Sequence, residues 1–192
     1  MKEVNEKIHR LLAPRLIVTI GTVSKEGRKN IIPINNISSV GTDPGIAMIA
    51  VYREWITAKN LQDAMGFTIS IPIQEQLDLI WKLAPKFSGY ESKLEKVDEF
   101  KDYLDSDFSS YGPVLKGSLG WIECQVLDRP DHRESNHLIV LGKFTKARFD
   151  EAHFTNDLIP RNNPKPIMQW TRNYFSAADK VVEIPYLGES HR

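Results

Sequence analysis

The chain has no surplus charge of either sign: 25 Lys and Arg balance 25 Asp and Glu over 192 residues. Without a basic excess it has no means of collecting phosphates along a nucleic acid, and there is no acidic tail. A local basic spot for one small anion remains open. Cysteine occurs once, at Cys124, which excludes an internal disulfide and fits a reducing compartment. Its apolar-rich neighbourhood, Trp121 to Val126, reads as buried strand and not as a nucleophile's setting. No apolar run approaches the length of a membrane-spanning helix. The segment Met1 to Glu6 lacks the apolar core of a signal peptide, so a cytoplasmic location is expected. Asn36-Ile37-Ser38 matches a glycosylation sequon only by chance on that reading.

Several chemical signatures are also missing. No Gly-x-Gly-x-x-Gly follows a strand, and there is no Walker phosphate loop, Gly-x-Ser-x-Gly elbow or paired-cysteine zinc spacing. The ordinary dinucleotide and hydrolase routes therefore lack support. His132, Glu134 and His137 are close in sequence, but their spacing fits no common zinc pattern. They read as polar loop residues, and no metal is expected.

The pattern that is present is mainly β with helical excursions. Val4, Ile8, Leu11 and Leu12 recur at helical spacing, and Pro14 ends that helix. Strands are predicted over 16–23, from Asn30 toward Val40 with an interruption at Pro33, and over 46–52 and 66–71. Longer ones are predicted over 119–128 and 137–149. Gly27 supplies a positive φ in the first turn, and Thr42 to Gly45 forms another. Helices are predicted over 55–64, 74–83 and 91–104, the last as a solvated surface helix. Short turns between the early strands argue for an antiparallel meander closing into a small barrel. The whole chain, 1–192, reads as one domain: a barrel core of about 13–150, a helical insertion over 72–118 and a C-terminal tail over 160–192. The Asn162 to Pro166 stretch precludes regular structure there, and an aromatic-rich end with Trp170, Tyr174, Phe175 and Tyr186 follows.

Two clusters carry possible chemistry. In Arg53-Glu54-Trp55-Ile56-Thr57-Ala58-Lys59-Asn60 a strand ends and a helix begins. Unpaired first-turn amides, Arg53 and Lys59 suit a phosphate, with Thr57 and Asn60 as further donors. The alternative is that Thr57 caps the helix and Lys59 is solvated. The second cluster, Asn30 to Ser39, is polar for a strand: Asn30, Pro33, Asn35, Asn36, Ile37, Ser38 and Ser39 either contact the polar edge of a flat heteroaromatic ring or form a water-facing edge strand.

Taken in order, these segments resemble the flavin reductase-like FMN-binding family. The resemblance runs through Ala13-Pro14-Arg15, the Gly27 turn, Asn30 to Pro33, Asp43-Pro44, Thr57 to Asn60, Gly66 to Ile71, Glu123-Cys124, Asn136 to Lys143 and Pro166-Ile167, with Tyr174 beyond. It implies an FMN-binding split β-barrel that forms a homodimer with the flavin near the subunit interface. It also implies that Arg53 to Asn60 holds the phosphate, that Asn30 to Ser39 lines the ring and ribityl chain, and that His137 lies near the flavin or the incoming nicotinamide. A structural role for His137 remains the alternative. The expected activity is hydride transfer from NAD(P)H to flavin N5, with donors along Ser38 and Ser39 at the pyrimidine edge. The sequence departs from the family pattern at Pro33 to Asn36, at Asn136 and at Gln169 to Arg172. These departures motivate alternatives: a flavoredoxin-like electron carrier fed by a protein partner, or a related barrel holding haem or a deazaflavin.

Overall fold

The computed structural model describes residue 3, residues 5–84 and 97–159, residue 161 and residues 163–178. The β-branched run after Pro14 forms β1 (Arg15–Leu16) and β2 (Val18–Val23). The chain then turns at Gly27, whose φ of 77° is the left-handed value expected of it. It continues as β3 (Lys29–Ile34), β4 (Ile37–Thr42) and β5 (Gly45–Tyr52). After α1 (Ile56–Leu61) comes β6 (Gly66–Ser70), and after a 3-10 turn at Gln74–Gln76 comes α2 (Leu77–Leu83). A short pair, β7 (Leu104–Asp105) and β8 (Val114–Leu115), precedes β9 (Gly120–Asp128) and β10 (His137–Phe149). The chain closes with β11 (Ile167–Thr171) and β12 (Tyr174–Ala177).

The main sheet is antiparallel, in the order β3-β2-β6-β9-β10-β5-β4. Its first and last strands are consecutive in the chain, joined only by Asn35 and Asn36. The two edges of the sheet are thus tied together by a covalent link with no ladder between them, which makes this a split barrel. Pro33 is tolerated because β3 is an edge strand, where one row of amides needs no partner in the sheet.

Two apolar layers explain the continuous hydrophobic reading of residues 16–23. Alternate residues such as Val18, Ile20, Ile32 and Ile34 point into the barrel with Phe67, Ile69 and Val140. The intervening Ile17 and Ile31 face outward against Ile80, Leu83, Leu115 and Ile167. A strand covered on both faces loses the alternation that marks a half-exposed one. On that outer side, Gly21 is required by a close approach: a Cβ there would lie 2.0 Å from the Pro113 carbonyl oxygen.

Three expectations change. The first helix is a 3-10 segment, Ile8–Leu12, with Leu11 and Leu12 exposed; Val4 lies outside the described residues. Of the solvated helix expected over 91–104, residues 97–99 are helical and Lys101–Tyr103 is a 3-10 turn, but Phe100 and Leu104 are buried with Ile17 and Ile31, and Leu104 begins a strand. Its apolar side chains drive that docking; residues 91–96 lie outside the described residues. The aromatic-rich end, for which no strand was predicted, forms the β11–β12 hairpin and joins β1 in a second sheet of order β1-β11-β12. Tyr186 lies outside the described residues. Among the described residues no helix is long and apolar enough to cross a membrane.

Candidate functional site

The barrel seam opens into a cleft with a cavity volume of about 140 Å³. One wall is the seam itself, with Pro33, Ile34, Asn35 and Asn36; a second comes from the start of β10 and the turn before α1, with His137 and Trp55. The third comes from α2 and the C-terminal hairpin, with Ile80, Trp81, Gln169 and Phe175. Trp81 and Phe175 meet edge to face at 5.5 Å, locking helix to hairpin. Apolar faces with a few fixed polar groups are the composition of a site for a flat ligand.

Of the residues expected at a ring-binding site, Pro33, Asn35, Asn36 and His137 line this cleft. Asn35 Nδ2 donates to Gln169 Oε1 at 2.6 Å, and Asn36 Oδ1 accepts from Arg15 Nη1 at 2.8 Å. Ile37 borders a separate apolar mouth of the barrel with Leu16, Val18 and Phe144. The exposed Ser38 and Ser39 hydroxyls turn back onto the Ser39 and Gly41 carbonyls of their own strand.

The segment expected to hold phosphate is arranged differently. Thr57 is fully buried, and its hydroxyl accepts from Asn30 Nδ2 at 2.6 Å; Asn30 is itself 2% exposed. These two side chains pin α1 to β3 and are shut away from any ligand. Asn60 likewise donates to Thr22 Oγ1 at 3.0 Å. Arg53 pairs with Asp131 at 2.7 Å and donates through Nε to the Ser135 carbonyl, while Lys59 is exposed. None of the four side chains lines the cleft; the residue of this segment that does is Trp55. The short α1 has no side-chain cap at its start. Its last carbonyls are satisfied by Arg129, which donates to Leu61 and Ala64 at 2.6 and 2.5 Å.

His137 follows from the order of its neighbours. Asn136 Oδ1 lies 2.6 Å from Nδ1 and can only accept, so the ring proton sits on Nδ1 and Nε2 is left as an acceptor. Burial, with the Arg53 charge adding to it, lowers the imidazole's pKa below its ordinary value of 6.5. As pH falls, the unfolded chain therefore takes up this proton before the folded one does. The stability supplied by neutral His137 is complete above pH 6.5 and is lost as pH drops through the interval below it. Thermal melts at descending pH should show a decline that is shallower in His137→Gln; identical slopes would place the loss elsewhere.

Among the described residues no three His, Cys, Asp or Glu side chains converge as metal ligands, so His132, Glu134 and His137 are not brought together. Burial holds the Cys124 thiol at about 12, far from a reactive thiolate.

Comparison with known proteins agrees with this architecture. The flavin reductase-like domain matches residues 12–178, and the chain belongs to that family. A protein of unassigned function from Methanothermobacter thermautotrophicus is 25% identical over 134 residues, which is 69% of this chain but only 62% of that protein's length. The FMN-binding protein of Thermus thermophilus, solved with 1-cyclohex-2-enone, superposes with a TM-score of 0.78 at 16% identity, covering 96% of this chain and 98% of its own. Flavoredoxin of Desulfovibrio vulgaris superposes at 0.77 with 18% identity, covering 97% and 98%.

Proposed function

We propose that this protein binds FMN in the seam cleft and works as an NAD(P)H-dependent oxidoreductase. The observation that carries this reading is the convergence of three amide side chains, one neutral imidazole and three aromatic side chains on a single cleft. The similarity to the FMN-binding protein of Thermus thermophilus supports the choice of flavin. Bound FMN supplies a hydride acceptor at N5 and returns electrons to an acceptor. The protein's part is to orient and to exclude water. Asn35 and Asn36 hold the polar edge of the ring, Trp55, Trp81 and Phe175 cover its faces, and His137 Nε2 accepts a hydrogen bond from the flavin or from the nicotinamide carboxamide. No proton donor is required for a hydride step, which agrees with a cleft whose one titratable wall residue among those described is a neutral histidine. The phosphate lies toward Arg53 and Lys59 and the first amides of α1, the Thr57 and Asn60 side chains serving as scaffold. The protein acts as a cytoplasmic homodimer on this reading.

The test is the visible spectrum of the purified chain after FMN is added and the mixture is gel-filtered, followed by rapid mixing with NADH and with NADPH. A retained flavin spectrum that bleaches with either nucleotide is expected. A colourless eluate would remove the FMN assignment. A second reading, a flavoredoxin-like electron carrier without its own nicotinamide site, is favoured by one observation: the hairpin reaches across the cleft and bonds Asn35 through Gln169. Retained flavin that neither nucleotide bleaches would select it.

A further inference from the structure

Asn35 and Asn36 are each held through one end of the amide, and the holding partners fix which end. Arg15 can only donate, so Asn36 must turn its oxygen toward it and keep its NH₂ for the cleft. On the other side, the Arg172 carbonyl can only accept. It therefore takes Gln169 Nε2, at 2.6 Å, which turns Gln169 Oε1 toward Asn35. Asn35 answers with its NH₂ and keeps its oxygen for the cleft. The two amides are oriented separately, Asn36 by an obligate donor and Asn35, through Gln169, by an obligate acceptor. Arg15 and Gln169 are also register partners across β1 and β11, so one rung of the small sheet holds both asparagines. Among the described residues, Asn35 Oδ1 and Asn36 Nδ2 have no hydrogen-bond partner. Arg15 Nε is buried without an acceptor, so the hydrogen bond this side chain does make is directed at Asn36.

We infer that Arg15 and Gln169 are positioning residues that present Asn35 and Asn36 as a fixed acceptor–donor pair, and that this pair reads an imide edge, a ring N–H beside a carbonyl. Asn35 Oδ1 accepts from the N–H, and Asn36 Nδ2 donates to the adjacent carbonyl. In FMN that edge is N3–H with its flanking carbonyl. The inference rests on the cleft being a flavin site. Nothing in it depends on a catalytic role for either positioning residue.

The experiment compares the affinity of the full-length protein for FMN and for FMN methylated at N3, which lacks the donor. The wild type should favour FMN by about 10- to 100-fold, the range set by losing one buried hydrogen bond. In Gln169→Met, which frees Asn35, the preference should shrink to within about 3-fold, because the Asn35 oxygen is no longer held toward the ring N–H. Arg15→Met frees Asn36, which faces the carbonyl both ligands keep, and should leave the ratio in place. A merely structural defect weakens both ligands alike and leaves the ratio unmoved. Arg15→Lys, which still can only donate, should retain the preference and shows that a folded protein is being measured. Equal wild-type affinity for the two flavins overturns the inference while leaving the flavin site in place. So does a preference that survives in Gln169→Met. Failure of the wild type to bind either flavin overturns the flavin reading and this inference together.

Discussion

Phe67→Ala should cost about 3–5 kcal/mol, the largest loss expected from one side chain in the barrel. Phe67 is fully buried on β6, and its ring fills the space above Gly142 on β10 so closely that a Cβ on Gly142 would lie 2.7 Å from two ring carbons. Deleting the ring removes its burial and leaves a void that two backbone ladders prevent from collapsing. The converse change, Gly142→Ala, should cost about 1–3 kcal/mol alone by overpacking. In the Phe67→Ala background most of that penalty should be lost, because the obstructing ring is gone and only Cys124 Cβ, at 3.0 Å, still lies close. Urea melts of the four proteins form a cycle with a large coupling term. Additive losses would mean that the two residues do not share this space. Against a typical total stability of about 5–15 kcal/mol, the Phe67 loss alone removes a large share.

Thr57→Val should destabilise by about 1–3 kcal/mol while changing FMN affinity less than about 2-fold. Valine keeps the shape but removes the oxygen that Asn30 Nδ2 uses, and Asn30 Oδ1 already lies buried without a partner. The variant thus leaves a buried amide with no hydrogen bond at either end. Replacing both partners, Asn30→Val with Thr57→Val, should recover most of the loss, since no polar group is then stranded. Denaturant melts and flavin titrations separate this from a phosphate contact. A contact would show the reverse pattern: intact stability with affinity down by a factor of ten or more.

The sequence carried the barrel strands because each leaves a β-branched run bounded by a turn, and Gly27 marked its turn through a conformation few residues adopt. Strand β10 falls at 137–149 as read. The hairpin at the end was not legible. Its turn places Arg172, not glycine, at a φ of 47°, so the usual glycine signal is missing. Its strands expose Trp170 and Tyr174, which blurs the alternation. Losing the hairpin also meant losing Gln169 and Phe175 from the site. Asn35 and Asn36 were visible as polar residues at a strand break, but their partners, 134 and 21 residues away, were not. The reading of Thr57 and Asn60 as ligands failed for a plain reason. Polar side chains at a strand-to-helix turn serve a ligand or a neighbouring strand equally well, and only the third dimension separates the two.

The seven strands of the main sheet are complete once Phe149 has been made, yet the cleft needs Gln169 and Phe175. The order of synthesis therefore separates two events. A nascent chain can close its barrel before the ribosome has delivered the wall that narrows the cleft. A small molecule seated there is walled partly by a later segment than the seven paired strands, whose ladders are complete without it.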